Sequence, residues 1–548
     1  MKKLQNLKEK IELVLQENGL NEDIEFRISN IKKYDLQINN IVKYQEHKKI
    51  DLITSELKNV INRNDDILNF EITENCFINL ELNIENFIVY FQNIENNIKV
   101  DRSEKIIFDY GGPNIGKPLH VGHLRSLNIG RSLYNINKIA GNTVVSDIHL
   151  GDWGMPIAQI LNFCELNNLD VSKISISKLE EIYPKASKLY IDDPDFQSAC
   201  KELNKDLNDN NNKSLLKKWK NIKDTSLHSI KSILEELDHS FDHWLGESDV
   251  NHLIPQLISD LEKNNKVSLD KGAYISNEET EPKILITKSD GSYLYLTTDL
   301  ATVLNRIKNE GFDKTIYIVD KRQQLHFKQL FSSLKYFDFE DKEYEHVDFG
   351  TVNDKNGNPF KTRDGGTKKL KDLFDETCEY ISKINQDLDS DSIKILGNTV
   401  LTYSDLITNR KTDYKFDLEK FTNITGKTGI YVQYSLVRAK KLVSAFTNEF
   451  ENESIKLINL QDEEKALLKS FSKFESYFKH SLTSNEPHHL ADYLYELSSL
   501  FNSMYQKENI LSEQEDDIKR RKIYITFLFI QYSTLLMKSL GINQVKRM

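Results

Sequence analysis

Residues 111–123 read Gly-Gly-Pro-Asn-Ile-Gly-Lys-Pro-Leu-His-Val-Gly-His, and two phosphate-binding patterns overlap in them. Gly111 through Lys117 fits G-x-x-x-x-G-K, the opening of a P-loop. A P-loop next needs a serine or threonine hydroxyl for magnesium, and backbone N–H groups to cradle phosphate. Pro118 supplies neither. His120-Val121-Gly122-His123 is the stronger reading. Its histidines are i, i+3 and share one face of a helical turn. Gly122 has no Cβ, so a flat purine could approach the backbone there. A helix starting at this point adds N–H groups and positive potential for phosphates. Four residues alone fit equally well with two surface histidines beside a turn.

Other residues could serve the same chemistry. Pro359 through Gly366, "PFKTRDGG", places Lys361 on a basic turn with two glycines behind it, able to close over phosphates. Asp109 ends an apolar run just before the glycine turn. Asp299 follows Tyr295 by four residues, one helical turn. Taken singly, each carboxylate reads as a solvated charge or a helix cap. Near the C-terminus, "TGIYVQYSLVRAKK" offers Tyr431, Gln433, Tyr434, Arg438 and Lys440. Aromatics can stack on unpaired bases while basic groups meet phosphates. "KRRK" at 519–522 reads as a solvated helix start or a phosphate contact.

The elements that must position these residues are visible as periodicity. "KIIFDY" is a short apolar strand, followed by a Gly/Pro turn and the helical "HVGHLRSLNIGRSLYNINKIAG". "NTVVSDIHLGDWG" holds a second strand and "TIYIVD" (315–320) another, with helical "LHFKQLFSSLKYF" after it. Strands alternating with helices predict a parallel doubly wound sheet. The spacing therefore predicts a multidomain α/β protein. A small N-terminal α+β domain spans 1–100. A Rossmann-like parallel-sheet domain spans 101–400, with a largely helical insertion at about 165–285, and it carries the candidate phosphate-binding residues expected of a catalytic domain. An all-helical domain spans 401–548, where Leu467, Leu468, Phe471, Phe474 and Phe478 keep i, i+3/i+4 spacing.

Composition narrows the function classes. With 39% hydrophobic and 29% charged residues, the chain is a globular protein rather than a disordered one. Cys76, Cys164, Cys200 and Cys378 lie far apart, with no zinc-ligand spacing, so no metal site and no disulfide framework is expected. The N-terminus is an amphipathic helix rather than a signal peptide. The apolar stretch 523–540 is interrupted by Gln531 and Lys538 and reads as a buried helix, not a membrane span. A cytoplasmic location follows. The net charge of −11 argues against a generic nucleic-acid coat but leaves room for a local basic face.

The stretch "FDYGGPNIGKPLHVGHLRSLNIG" resembles the signature region of class I aminoacyl-tRNA synthetases, and within them the arginyl-tRNA synthetases. The resemblance continues in family order through "HLGDWGMPI", "YLYLTTDLATVLNRIK", "RQQLHFKQLF", "NGNPFKTRDGGTKKLKDL", "GKTGIYVQYSLVRAKKL" and "LGINQVKRM". It implies ATP with Mg2+, arginine and tRNA(Arg) as partners, no membrane, and a monomer. Activation of arginine as its adenylate and transfer to the tRNA 3' end would follow, with activation needing bound tRNA. The resemblance implies ATP contacts at His120, Gly122, His123 and the mobile-loop Lys361. It implies guanidinium contacts at Asp109, Tyr295 and Asp299. It implies contacts to the amino-acid end at Asn114, His120 and Gln323. The C-terminal helices resemble an anticodon-binding domain, with Tyr431, Gln433, Tyr434 and Arg438 toward tRNA. Two departures stand out: Gly111-Gly112 replace a common pair of serines, and Asp364 replaces the second loop lysine. Lys117 is a candidate catalytic cation for that missing lysine, with Lys368 and Lys369 as alternatives. The rivals are a tRNA-binding paralogue without catalysis and a class I synthetase for another amino acid. The intact His120, His123 and Lys361 argue against the first, and the acidic residues around Tyr295 against the second.

Overall fold

A computed structural model describes residues 2–208, 212–277, 283–289, 291–339, 341–360, 367–446, 455, 457–507 and 510–548. The chain divides into two compact units, Arg102–Leu418 and Met1–Asp101 with Glu419–Met548.

The first unit is built on four parallel strands. They are β1 (Lys105–Tyr110), β2 (Thr143–Asp147), β3 (Lys314–Asp320) and β4 (Glu343–Phe349), in the order β4-β3-β1-β2. Five of the six β1 residues are buried, as expected of a strand covered on both faces. The helix α1 (Leu124–Ala140) follows β1 and is almost wholly buried, stopping at left-handed Gly141. Order reverses between β1 and β3. The carboxyl ends of strands at such a switch point are where open α/β sheets bind ligands.

After β2 the chain leaves the sheet and returns only at β3. Helices Met155–Leu166, Ile176–Asp192, Pro194–Asn208 and Lys213–Glu236 fill most of that excursion. It extends beyond the 165–285 read from charge and periodicity, because Met155–Leu166 packs on the helices that follow it. It also contains a two-stranded hairpin, Val267–Asp270 with Ala273–Ser276. The helix α2 (Tyr295–Asn309) then leads into β3, and α3 (Gln324–Tyr336) follows β3.

The sequence reading ended this domain at 400, but α4 (Ser390–Leu406) runs unbroken through that position. Asp405 of α4 accepts a 2.8 Å hydrogen bond from Arg125 Nε of α1, and Asn128 donates to it at 3.2 Å. Both partners of the ion pair are fully buried, so α4 is part of this unit's core. The division falls after Leu418.

In the second unit, four short antiparallel strands (Arg27–Ile28, Leu36–Ile38, Ile78–Leu82, Ile67–Ile72) carry helices Gln5–Glu17 and Ile50–Asn62. Five longer helices follow Glu419: Gly429–Ser444, Asp462–Ser472, Phe474–Ser484, His488–Lys507 and Asp516–Leu540. The N-terminal module and these helices form one unit rather than two. Tyr90 donates to Glu475 at 2.9 Å, and Lys469 lies 3.3 Å from both Asp35 and Glu81. Helix Asp516–Leu540 is long and apolar enough to cross a membrane by composition. Most of that apolar stretch is buried among the neighbouring helices.

Candidate active site

The signature loop turns off β1 through Gly111 (φ +93°) and Gly112 (φ +45°), a conformation that serine side chains rarely adopt. A Cβ on Gly111 would also press to 3.2 Å on Ile148 and Leu127. Ser126 of α1 anchors the turn: its Oγ accepts from Gly111 N–H at 2.8 Å and donates to Ile318 of β3 at 2.7 Å. Next, Gly151 N–H donates to Pro113 O, and Ile115 N–H to Gly151 O. The loop after β2 is thereby paired to the signature loop. Asn114 stands exposed on this pairing, and a Cβ on Gly151 would overlap its Oδ1.

His120 and His123 form one compact group. Their ring centroids are 4.0 Å apart. His120 Nδ1 lies 3.1 Å from Gly122 N–H and must accept from it, so a neutral His120 carries its proton on Nε2. His123 Nδ1 lies 3.1 Å from His120 N and 3.2 Å from His120 O, so either neutral tautomer finds a backbone partner there. Burial, then the neighbouring His120 and Lys117, push His123 down to about 3. His120 is lowered by burial, then by Lys117 and Arg322. Both imidazoles are therefore neutral at pH 7, and His120 has an Nε2–H to donate. Gly122 serves this geometry first. The His120 ring lies 2.8 Å from where a Cβ would be, so the ring itself takes the space the sequence reading left to a purine.

Lys361 and the rest of Lys361–Gly366 lie outside the described residues. The chain just beyond them is bound to the histidine turn: Val121 N–H donates to Lys368 O, and Leu370 N–H to Leu119 O. Of the alternative cations, Lys368 pairs with Glu376 and Lys369 with Glu180. Lys117 Nζ sits 4.1 Å from the centre of the Tyr183 ring and has no carboxylate partner among the described residues.

Asp109 does not present a free carboxylate. It lies level with Asp147 across the β1–β2 register, and Arg306 of α2 bridges the two at 2.6 and 2.8 Å. Arg306 and both acids are buried. Two adjacent carboxylates in this sheet need a shared cation, and Arg306 supplies it. The sequence reading gave Asp109 to a substrate guanidinium; the protein's own guanidinium occupies it. His149 completes the cluster, with positive φ (+39°) and a buried Nδ1 that has no hydrogen-bond partner. Burial disfavours its charge, but Asp109 and Asp147 outweigh burial and hold it above its ordinary value.

The remaining acidic groups gather at the start of α2. Tyr295, its first residue, is 70% exposed. Asp299 lies one turn on and pairs with His326 Nε2 of α3 at 2.6 Å. That bond raises His326, against burial. Glu247, which the sequence reading missed, opens the short helix Glu247–Val250, and this helix packs on α2. Burial raises its carboxyl to about 7, with Asp152 and Asp299 adding to the rise and His149 opposing it. Only its place beside α2 singles it out, because "GESDV" carries no spacing signal. Gln323 is exposed at the end of the turn after β3, three residues before His326. A cavity of about 540 Å³ borders Tyr295 and His326 but includes none of the signature-loop residues.

The C-terminal residues proved unequal. Gln433 is wholly buried: its Nε2 donates to Asn543 O at 2.6 Å, and its Oε1 accepts from Val545 N–H at 3.2 Å. It fastens the C-terminal segment and cannot face tRNA. Arg438 lies between the rings of Tyr434 and Tyr505, 4.4 and 4.8 Å from their centres, and donates to Asn502. Tyr431 packs on Tyr495 at 5.4 Å. These three remain partly accessible. In "KRRK", Arg521 is buried against Glu464 at 2.9 Å and Lys522 pairs with Glu513, so neither is solvated nor open to phosphate.

A doubly wound sheet with a histidine turn at its switch point, followed by a helical domain, defines a class I aminoacyl-tRNA synthetase. The family described as tRNA synthetases class I (R), catalytic domain, matches residues 84–418, and the DALR anticodon binding domain matches 432–548. The arginine–tRNA ligase of Francisella tularensis subsp. tularensis is 34% identical over 530 residues, covering 90% of each chain. Two solved structures share the fold over 99% of this chain. They are the arginyl-tRNA synthetases of Plasmodium falciparum (TM-score 0.82, 23% identity, 99% of that chain) and Thermus thermophilus (TM-score 0.81, 19% identity, 100% of that chain). The chain belongs to the arginyl-tRNA synthetase family.

Proposed function

We propose that the protein activates arginine with ATP and transfers it to the 3' end of tRNA(Arg). The observation that carries this reading is that one sheet-domain unit holds both the His120–His123 turn and the acidic groups at the start of α2. ATP enters as its magnesium complex. The arginine carboxylate attacks the α-phosphorus, the bond to the bridging oxygen breaks, and pyrophosphate leaves. A terminal ribose hydroxyl of tRNA then attacks the arginyl carbonyl, releasing AMP. Neither step needs a protein nucleophile; alignment and stabilisation of developing charge suffice.

The residues divide the work by their chemistry. Neutral His120 donates its Nε2–H to a phosphate oxygen, with neutral His123 beside it as a second contact, and a neutral donor does not trap pyrophosphate as a cation would. Lys361 from the loop and Lys117 from the turn supply positive charge toward the leaving group. Asp299, oriented by His326, and Glu247 take the substrate guanidinium, with Tyr295 along its side. Asn114 and Gln323 meet the amino-acid end. Asp109 acts indirectly, holding Arg306 between β1, β2 and α2. The helical domain binds the anticodon arm through Tyr431, Tyr434 and Arg438. The protein works as a cytoplasmic monomer.

Binding of labelled arginine tests the assignment. Asp299→Ala is expected to weaken it by orders of magnitude, because a site built to hydrogen-bond a substrate group discriminates by roughly 10⁴ or more. ATP binding should change little. Unchanged arginine affinity overturns the assignment.

A further inference from the structure

Helix Phe474–Ser484 ends at Asn485, whose φ of +53° is left-handed, and the next helix begins at His488 after Pro487. The reversal takes three residues. Ser481 ties it, donating through Oγ to Glu486 O at 2.9 Å and accepting at its own carbonyl from Glu486 N–H at 3.3 Å. The tight corner sets His480, in the last turn of one helix, against Glu486 and His489 at the start of the next. The donor atoms of these three side chains all lie within 4.8 Å of one another. His480 and His489 rings are 4.3 Å apart at 62°, and His489 Nε2 is 3.2 Å from Glu486 Oε2. The His488 ring lies 3.9 Å from that of His489, tilted by 37°, and its Nδ1 is buried without a partner.

A helix corner gains little by itself from gathering imidazoles. A Glu–His pair accounts for Glu486 and His489 but gives His480 no reason to close on them. A shared cation does. We propose that His480, Glu486 and His489 bind one zinc-class divalent ion and pin this corner.

Two imidazoles and a carboxylate are a three-ligand protein set that leaves a fourth position for water. Imidazole donors select zinc, cobalt, nickel or copper over magnesium or calcium. Zn–N bonds of about 2.0–2.1 Å put tetrahedral ligand atoms about 3.4 Å apart, so the side chains need close by only about an ångström. His480 is exposed and can make that movement, while the tied turn holds the other two. Asp492, one turn further along, lies within electrostatic reach of His488 and His489 and is itself paired with Lys427. Neither the catalytic chemistry nor the family resemblance calls for this site.

The test uses the full-length protein without a histidine tag, stripped with a chelator and dialysed. Cobalt(II) is titrated in and read by its d–d absorption, and zinc is measured by competition with a chromogenic chelator. One cobalt per chain is expected, without a thiolate charge-transfer band and displaced by zinc. His480→Ala and His489→Ala should each weaken zinc at least tenfold, and zinc should raise the thermal midpoint of the native protein but not of the variants. Because His480 is exposed, His480→Ala keeps the fold and the arginylation activity, so its result stands alone. Three outcomes overturn the proposal: no stoichiometric uptake, a thiolate band that moves the metal to the cysteines, or undiminished zinc affinity in His480→Ala.

Discussion

Moving from pH 8 to pH 6 should weaken arginine binding about tenfold, and Glu247 should carry the effect. Burial raises this carboxyl to about 7 before substrate arrives, so it is mostly neutral at pH 6. A neutral acid offers the guanidinium no charge, and arginine must drive the proton off at a cost of about 1.4 kcal/mol per pH unit below 7. The weakening factor is (1 + 10^(7−6))/(1 + 10^(7−8)), about 10. The direction is fixed by the free-state value being the raised one: affinity is full above it and falls as pH drops through it. Equilibrium dialysis of labelled arginine with ATP and tRNA held constant measures it directly. Glu247→Gln should bind weakly at every pH and lose most of the slope. His326 is the other group that could contribute, because its loss of a proton frees Asp299; His326→Asn isolates that part. A flat affinity from pH 6 to 8 in the native protein, or a full slope in Glu247→Gln, refutes the reasoning.

Further predictions follow from the same contacts. The raised Glu247 carboxyl disfavours folding above its unfolded value of 4.5, so Glu247→Gln should raise the thermal midpoint at pH 8 and lose that gain by pH 4.5. The bound is about 3 kcal/mol before solvent screening. Removing Arg306 leaves Asp109 and Asp147 buried and unpaired, so Arg306→Met should cost about 3–5 kcal/mol in denaturant melts. Lys117→Ala should slow adenylate formation while leaving arginine and tRNA affinity nearly intact, and Asp364→Lys in that background should restore part of the rate; normal single-turnover activation rules Lys117 out. Arg438→Ala should lower tRNA affinity with the fold intact, whereas Gln433→Ala should lower the thermal midpoint, both readable by filter binding and calorimetry.

The residues legible in the sequence are those whose chemistry is local. His120 and His123 are three positions apart on one turn, and Tyr295 and Asp299 are four apart on one helix, so spacing puts each pair on one face while the resemblance of the surrounding blocks supplies its role. The strands of the sheet show as short apolar runs because both their faces are buried. What was not legible depends on partners far away in the chain. Arg306 meets Asp109 across 197 positions and Asp147 across 159, and no local pattern announces such a bridge. The end of the domain was misplaced for the same reason: position 400 lies in helical periodicity, and the contacts that join that helix to α1, the buried Arg125–Asp405 pair among them, come from far away in the chain. Gln433 reads like its accessible neighbours until its bonds to Asn543 and Val545 are seen. Glu247 is one acid in a charged insertion, set apart by burial and by packing on α2.

The measurement closest to the central claim is ATP–pyrophosphate exchange with each amino acid in turn, with and without tRNA. Arginine alone should support exchange, and only when tRNA(Arg) is present. Exchange with another amino acid, or none with arginine under either condition, would contradict the account.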